Sequence, residues 1–101
     1  MSRLLNEELR KTLPNFGEQD GAKDPIVYAT FLFPASGWTW FVTEGEARDN
    51  CDFLFFGYVI GFESEWGYFS LHELEGVNMH GLRIERDFSF EPTPFSKCVG
   101  G

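Results

Sequence analysis

Residues 53–71 read FLFFGYVIGFESEWGYFSL, and this stretch decides the fold. Its first part, 53–62, is an apolar run of strand length, and a second, aromatic run follows the polar residues 63–65. Two such runs on either side of a turn are typical of a β-hairpin. Because both faces of the first strand are apolar, we expect it to lie centrally in a sheet, with a large side chain or a helix packed over Gly57 and Gly61.

The other elements follow from local patterns on both sides of this hairpin. Asn6 is a good N-cap residue, and Ser70 with Glu73 has the spacing of a capping box. The predicted elements are a helix over 7–13, strands over 26–33 and 38–44, the two hairpin strands, a helix over 71–75 and a strand over 82–91. We therefore predict an α+β fold in the order α-β-β-β-β-α-β. Its antiparallel sheet has about five strands, with one short helix at the N-terminus and one before the last strand.

Size and composition predict one domain with its own core. The chain has 101 residues, of which 43% are hydrophobic and 18% aromatic. We expect residues 1–101 to form a single domain with an ordered core over about 4–94 and a flexible tail over 95–101. No apolar run reaches the ~18 residues that cross a bilayer, and the N-terminus lacks an apolar leader. The sequence thus indicates a cytoplasmic protein that does not enter a membrane.

The net charge of −8 is unevenly distributed. Residues 1–23 and 83–101 each contain equal numbers of acidic and basic side chains, so the segment 24–82 carries the whole imbalance. Against Arg48 alone, that segment has nine acidic residues: Asp24, Glu44, Glu46, Asp49, Asp52, Glu63, Glu65, Glu73 and Glu75. Phosphate binding needs clustered Lys and Arg, so we do not expect direct binding of nucleic acid. A partner protein with a basic surface fits better.

Candidates for catalysis or metal binding each have a simpler explanation. His72 and His80 lack the spacing and the further ligands of a zinc site. Cys51 has acidic neighbours, which disfavour the reactive thiolate. Glu63 and Glu65 suit a solvated turn better than a glycosidase pair. We therefore expect no enzymatic activity, no metal site and no cofactor.

Two further features suggest functions that the rest of the sequence does not support. Cys51 and Cys98 show neither CxxC spacing nor a dense cysteine framework, which favours free thiols. Gly100 and Gly101 end the chain as in ubiquitin-like carriers, but the predicted order of elements does not suit a β-grasp fold.

The spaced aromatic motifs resemble those of a bacterial family, the domain of unknown function numbered 2958. They are DPIVYATFLFP (24–34), WTWFVTE (38–44), FFGYVIGFESEWGYFSLHELEGV (55–77) and GLRIERDFSFEP (81–92). With the opening helix that ends in LP, the resemblance covers residues 4–94. It implies a genetic setting on plasmids, integrative elements and phages, and it supplies no catalytic residues.

The leading hypothesis is a non-enzymatic acidic protein that binds a basic protein partner. Its concrete form is an inhibitor of a host defence nuclease that acts by partial nucleic-acid mimicry, for which the carboxylates must gather beside exposed aromatic rings. The candidate partner-binding residues are Glu44, Glu46, Asp49, Asp52, Glu63, Glu65, Trp38, Trp40 and Trp66. The alternative is an accessory module that binds a small molecule or single-stranded nucleic acid through surface aromatics. The acidity is equally consistent with a role in solubility alone.

Overall fold

The chain folds around one five-stranded antiparallel sheet. The computed structural model describes residues 3–99. The elements in chain order are α1 (Glu7–Thr12), β1 (Ile26–Val27), β2 (Ala29–Phe33), β3 (Trp38–Ala47), β4 (Phe53–Ile60), β5 (Ser64–Ser70), α2 (Leu71–Glu75), β6 (Glu85–Arg86), β7 (Thr93–Pro94) and α3 (Phe95–Cys98). The five-stranded sheet has the order β5-β4-β3-β2-β6, and β1 pairs separately with β7. The predicted α+β class and the five-stranded antiparallel sheet are confirmed.

Both predicted helix starts are capped as their residue types require. The Asn6 side chain accepts a hydrogen bond from the Leu9 N–H at 2.9 Å. Ser70 and Glu73 form the predicted capping box, in which each side chain accepts from the backbone N–H of the other residue. These bonds satisfy N–H groups that a helix leaves free in its first turn, so short helices begin at defined residues.

The inner face of the sheet carries the main hydrophobic core. It contains Phe31 and Phe33 of β2, Trp40 and Val42 of β3, Phe53 and Phe55 of β4, and Phe69 of β5. Four leucines of the N-terminal segment, Leu74 of α2 and Ile84 cover these side chains. Arg10 of α1 lies over the Phe53 ring, with its guanidinium carbon 5.4 Å from the ring centroid. The two helices therefore cover the end of β4 at which that strand begins.

The outer face carries a second, aromatic layer that the C-terminal segment completes. Phe95 of α3 lies with its ring centroid 4.8 Å from Trp66 and 4.9 Å from Tyr58. The backbone N–H and the hydroxyl of Ser96 donate to the carboxylate of Asp24, at 2.9 and 2.7 Å. These bonds hold the pKa of Asp24 below its usual range. Residues 95–98, for which the sequence predicted a flexible tail, thus have a helix and packing contacts.

A β-bulge in β3 reverses the alternation of its side chains. Val42 pairs with Gly57, but the next pair is Glu44 with Phe56, so Thr43 is the additional residue. Without the bulge, Glu44 would share the inner face with Trp40 and Val42, where a carboxylate would be buried in the apolar core. The bulge turns Glu44 to the outer face.

β4 is an interior strand, as expected, with β5 on one side and β3 on the other, although β3 is the middle strand of the five. Two other sequence expectations for the sheet were wrong. Gly57 makes room for backbone, not for a helix: a Cβ there would lie 1.8 Å from the Phe41 carbonyl oxygen. Gly61 does make room for a large side chain, since the Trp38 ring lies where its Cβ would be. The strand predicted over 26–33 is interrupted between β1 and β2, because β1 pairs with β7.

The strand predicted over 82–91 is reduced to the two residues of β6. Asp87 is the physical reason, because its carboxylate accepts hydrogen bonds from both the N–H and the hydroxyl of Ser89. The Asp87 carbonyl also accepts from the Phe90 N–H, which makes a turn. These local bonds replace the ladder that the alternating sequence predicted, and they hold the pKa of Asp87 below its usual range.

Candidate functional site

An aromatic and acidic cleft lies where the inner face reaches the β4–β5 turn. We call it the hairpin cleft; its lining residues are Trp38, Trp40, Val59, Phe62, Glu63, Glu65, Gly67, Tyr68 and Phe69. The sheet register builds it, because Trp40 pairs with Val59, which pairs with Glu65. Residues paired across neighbouring strands point to the same face. Glu65 therefore lies at the sheet edge, in the same row as Trp40.

The aromatic wall of the hairpin cleft is held by ring packing. The Trp38 ring lies over Gly61, its centroid 5.9 Å from that of Trp40. The ring centroids of Trp38 and Phe62 are 5.3 Å apart, and the two rings form a T-shaped pair with an interplanar angle of 85°. Phe62 is nevertheless 96% exposed. An apolar ring that a protein leaves in water next to a cleft is a typical contact residue.

The floor of the cleft is open because Gly67 has no side chain. A Cβ at that position would have no heavy atom within 4 Å. The cleft has a volume of about 610 Å³. Its rim carries the exposed carboxylates of Glu63 and Glu65. Aromatic faces and carboxylates attract the same ligand group, a guanidinium or ammonium ion. The hairpin cleft is therefore suited to the side chain of an arginine or lysine.

Two of the acids predicted to bind a partner instead hold a loop of this chain. Glu44 is 4% exposed, and its two carboxylate oxygens accept from the N–H groups of Gly17 and Gln19, at 3.0 and 2.9 Å. Glu46 accepts from the Phe16 N–H at 2.9 Å. Three backbone donors of the loop between α1 and β1 are satisfied in this way. These carboxylates act in folding and lie on the face opposite the cleft.

The remaining predicted residues are also apart from the cleft. Asp49 and Asp52 lie in the β3–β4 loop, one strand length of about 26 Å from the β4–β5 turn. Asp52 accepts from the N–H groups of Phe53 and His72. Slight burial raises the pKa of Asp52. These two hydrogen bonds lower it by more than burial raises it, so the pKa lies below the usual range. Trp66 lies on the outer face, against Phe95.

The nine candidate residues therefore do not form one docking area. Trp38, Trp40, Glu63 and Glu65 share the hairpin cleft, while the other five are divided between the outer face and the β3–β4 loop. Nucleic acid stacked on these tryptophans would meet carboxylates in the cleft, and Trp66 would not contribute to the same platform. The geometry accordingly favours a cationic ligand over a phosphate-bearing one.

The fold brings only two of the candidates for catalysis and metal binding together, Cys51 and His72. Cys51 and His72 line one small cleft of about 270 Å³, and Cys51 has a left-handed φ of 66°. Both cysteines are free; burial and the nearby Asp24 raise the pKa of Cys98. Within residues 3–99, no group of three or more His, Cys, Asp or Glu side chains is arranged to hold a metal ion. Gly100 and Gly101 lie outside the described residues.

Sequence reasoning missed two residues that shape these surfaces. Phe62 was assigned to the apolar hairpin strand, but β4 ends at Ile60 and leaves Phe62 in the turn. Gln19 was assigned to a polar loop, but its amide donates to the carbonyls of Ile26 and Thr43 and accepts from the Ile26 N–H. Gly61 before Phe62 is the one signal in the sequence that the turn begins there.

The fold and this cleft define a small α+β protein with an open surface site of mixed aromatic and acidic character. The chain belongs to the family described as "Protein of unknown function (DUF2958)", whose model matches residues 4–98. No curated protein and no solved structure matches it. No helix in the described part of the chain is long and apolar enough to span a membrane.

Proposed function

We propose that this protein is a non-enzymatic, acidic cytoplasmic protein that binds a basic partner protein through the hairpin cleft. One observation carries the proposal: Trp38, Trp40 and the exposed Phe62 converge with the carboxylates of Glu63 and Glu65 at the end of the sheet. None of the four clefts lined by residues 19–95, 3–88, 47–50 and 50–75 combines two tryptophans with two carboxylates. The proposal keeps Trp38, Trp40, Glu63 and Glu65 of the predicted partner-binding residues and adds Phe62.

The contact that fits the cleft is an arginine or lysine side chain placed against the partly buried Trp38 ring; Trp40, which is 8% exposed, supports that ring from the core. A cation over a tryptophan face contributes roughly 0.5–2 kcal/mol, depending on how far it is desolvated. A hydrogen bond between a guanidinium and a carboxylate contributes about 1.5–3 kcal/mol more. The net charge of −8 supports binding from a distance, because it attracts basic surfaces and accelerates encounter at low salt.

The concrete partner class is a nucleic-acid-handling enzyme, with a host defence nuclease as the leading case. Such enzymes bind phosphates through clustered Lys and Arg, which is the chemistry the hairpin cleft accepts. The mobile-element setting implied by the family resemblance agrees with an anti-defence role. Mimicry would be local: Glu63 and Glu65 would replace two phosphates, while Glu44, Glu46 and Asp52 are engaged in hydrogen bonds within the fold.

The test compares two double variants with the same change in net charge. Glu63→Gln/Glu65→Gln removes the carboxylates of the cleft, whereas Asp49→Asn/Glu91→Gln removes two exposed acids elsewhere. Each is immobilised, exposed to bacterial lysate at low and high salt, and the retained proteins are identified by mass spectrometry. A retained basic nuclease is then purified, and its affinity and activity are measured with each variant.

We expect the wild type and the control variant to bind and inhibit that nuclease equally at low salt. The cleft variant should bind at least about tenfold more weakly, because each lost charged contact is worth 1.5 kcal/mol or more. High salt should weaken binding of the wild type. Equal loss in both double variants would mean that total charge, and not the cleft, determines binding. Salt-insensitive binding, or no basic partner at all, would contradict the proposal.

A further inference from the structure

Three arginines gather around a second cleft, at the opposite edge of the sheet. We call it the arginine cleft; its lining residues are Arg3, Asn6, Gly81, Leu82, Arg83, Glu85, Arg86 and Phe88. It lies beside β6, whereas the hairpin cleft lies at the β5 edge, four strand spacings or about 19 Å across the sheet. In a chain of net charge −8 with 8 basic residues, three of them line this one cleft.

These arginines retain most of their hydrogen-bonding capacity. Nη2 of Arg3 donates to the Ile84 carbonyl, and Nη2 of Arg83 donates to the Glu75 carbonyl, both at 3.0 Å. Each guanidinium has five N–H donors, so both can bind further acceptors. Nε and Nη1 of Arg86 are shielded from solvent and have no hydrogen-bond partner among residues 3–99. An anion bound beside Arg86 would offset this loss through its charge, without needing a hydrogen bond to these two buried nitrogens.

The cleft also has an apolar lip. Phe88 is 67% exposed and lies over the Arg86 guanidinium, whose carbon is 4.8 Å from the ring centroid. Leu82 is 46% exposed on the same cleft. The volume of about 620 Å³ is within the range of small-molecule sites. A ligand that touches this lip while its anionic end reaches the arginines needs an apolar body.

The residues that line the cleft carry more positive than negative charge. Three arginines line it with one carboxylate, that of Glu85, and Glu8 of α1 also acts electrostatically on Arg86. A cluster of arginines in a strongly acidic molecule suits a small anion, while the acidic remainder of the surface repels a polyanion such as nucleic acid.

We propose that the arginine cleft binds a small organic oxyanion, a carboxylate or phosphate monoester carried on an aromatic or aliphatic body. Arg83 and Arg86 bind the anionic group, and Phe88 with Leu82 packs against the body. This site is separate from the hairpin cleft and does not depend on the function proposed for it. The two clefts select ligands of opposite charge.

Phenyl phosphate, benzoate and inorganic phosphate are the probes, and the backbone amide signals of the ¹⁵N-labelled protein are the readout. Phenyl phosphate should shift the amides of residues 82–88 saturably and leave those of 62–67 in the hairpin cleft unchanged. Inorganic phosphate should bind at least about fivefold more weakly, because it lacks the apolar body. The relative affinities of phenyl phosphate and benzoate distinguish a phosphate ligand from a carboxylate ligand.

The variant Arg83→Gln removes one cation, and Arg48→Gln in the β3–β4 loop is its charge-matched control. Arg83→Gln should weaken phenyl phosphate at least about tenfold, as expected for a charged hydrogen bond, and Arg48→Gln should not change it. Phe88→Ala should weaken phenyl phosphate but not inorganic phosphate. Each variant should retain the wild-type amide pattern away from its own substitution.

Three results would overturn the proposal. The first is the absence of saturable shifts at residues 82–88 with any of the three probes. The second is an equal loss of affinity in Arg83→Gln and Arg48→Gln, which would mean that only the total charge matters. The third is a shift of the same amides with protein concentration alone, which would make a second copy of the chain the occupant.

Discussion

Replacing Gly57 by alanine tests the close approach of the β3 and β4 backbones next to the β-bulge. An alanine Cβ at this position would lie 1.8 Å from the Phe41 carbonyl oxygen and 2.9 Å from its carbonyl carbon. Both are backbone atoms, so no side-chain rotation can relieve the contact. β3 and β4 would have to separate by roughly 1.5 Å of their ~4.8 Å spacing, which breaks neighbouring ladder hydrogen bonds.

The expected cost follows from these displaced groups. Overpacking a core position costs about 1–3 kcal/mol, and each broken hydrogen bond costs about 1 kcal/mol more. We therefore expect Gly57→Ala to lower the free energy of unfolding by about 3 kcal/mol or more, and the melting temperature by roughly 15 °C. Urea denaturation followed by tryptophan fluorescence and far-UV circular dichroism measures this change.

Gly67→Ala is the matched control, because Gly67 is the partner of Gly57 on β5. A Cβ there meets no heavy atom within 4 Å, so the substitution only restricts the unfolded chain. It should leave stability unchanged or raise it by up to about 1 kcal/mol. A Gly57→Ala protein within about 0.5 kcal/mol of the wild type, with an unchanged denaturant slope, would refute the reasoning.

Three further substitutions test the outer face and the hydrogen bonds accepted by Asp52. Phe95→Ala should lower the free energy of unfolding by about 2 kcal/mol in urea titrations, since it removes ring contacts of a partly buried side chain, whereas the exposed Phe88→Ala should cost less than about 0.5 kcal/mol. Glu44→Gln should cost about 1–2 kcal/mol and speed amide exchange at residues 16–19, because a charged acceptor of two N–H groups becomes neutral. Asp52 stabilises the fold above its ordinary pKa of 3.8, and this contribution is lost as the pH falls through its lower folded value. Asp52→Asn should therefore flatten the loss of stability in acid relative to Asp49→Asn, as measured by urea midpoints across that pH range.

The sequence predicted the parts of the fold that local chemistry determines. The cap at Asn6 and the capping box of Ser70 and Glu73 depend on residues three apart, and the hairpin depends on two adjacent apolar runs. The bulge at Thr43 lies beside the pair of Val42 with Gly57, a residue on another strand, and no periodicity within β3 reveals it. Contacts between residues far apart in the chain, such as this one, could not be predicted from the sequence.

The candidate site was predictable only in part for the same reason. Trp38, Trp40, Glu63 and Glu65 come together because the strand register aligns them, and the alternation of each strand was readable. Glu44 had the same acidic character in the sequence, yet its N–H partners lie 25 and 27 residues away in the chain. Charge alone does not distinguish a carboxylate that binds a partner from one that holds a loop.

Because β5 is an edge strand, the acids of the hairpin cleft also affect whether two copies of the chain associate. Within the described residues β5 is paired on one side only, so seven aromatic-rich residues offer unpaired backbone groups to another chain. Such margins invite aggregation unless charge interrupts them. In a parallel, in-register pairing of two copies, Glu63 and Glu65 would lie beside their own counterparts and repel them. The carboxylates that attract a cationic partner thereby also discourage like-with-like assembly.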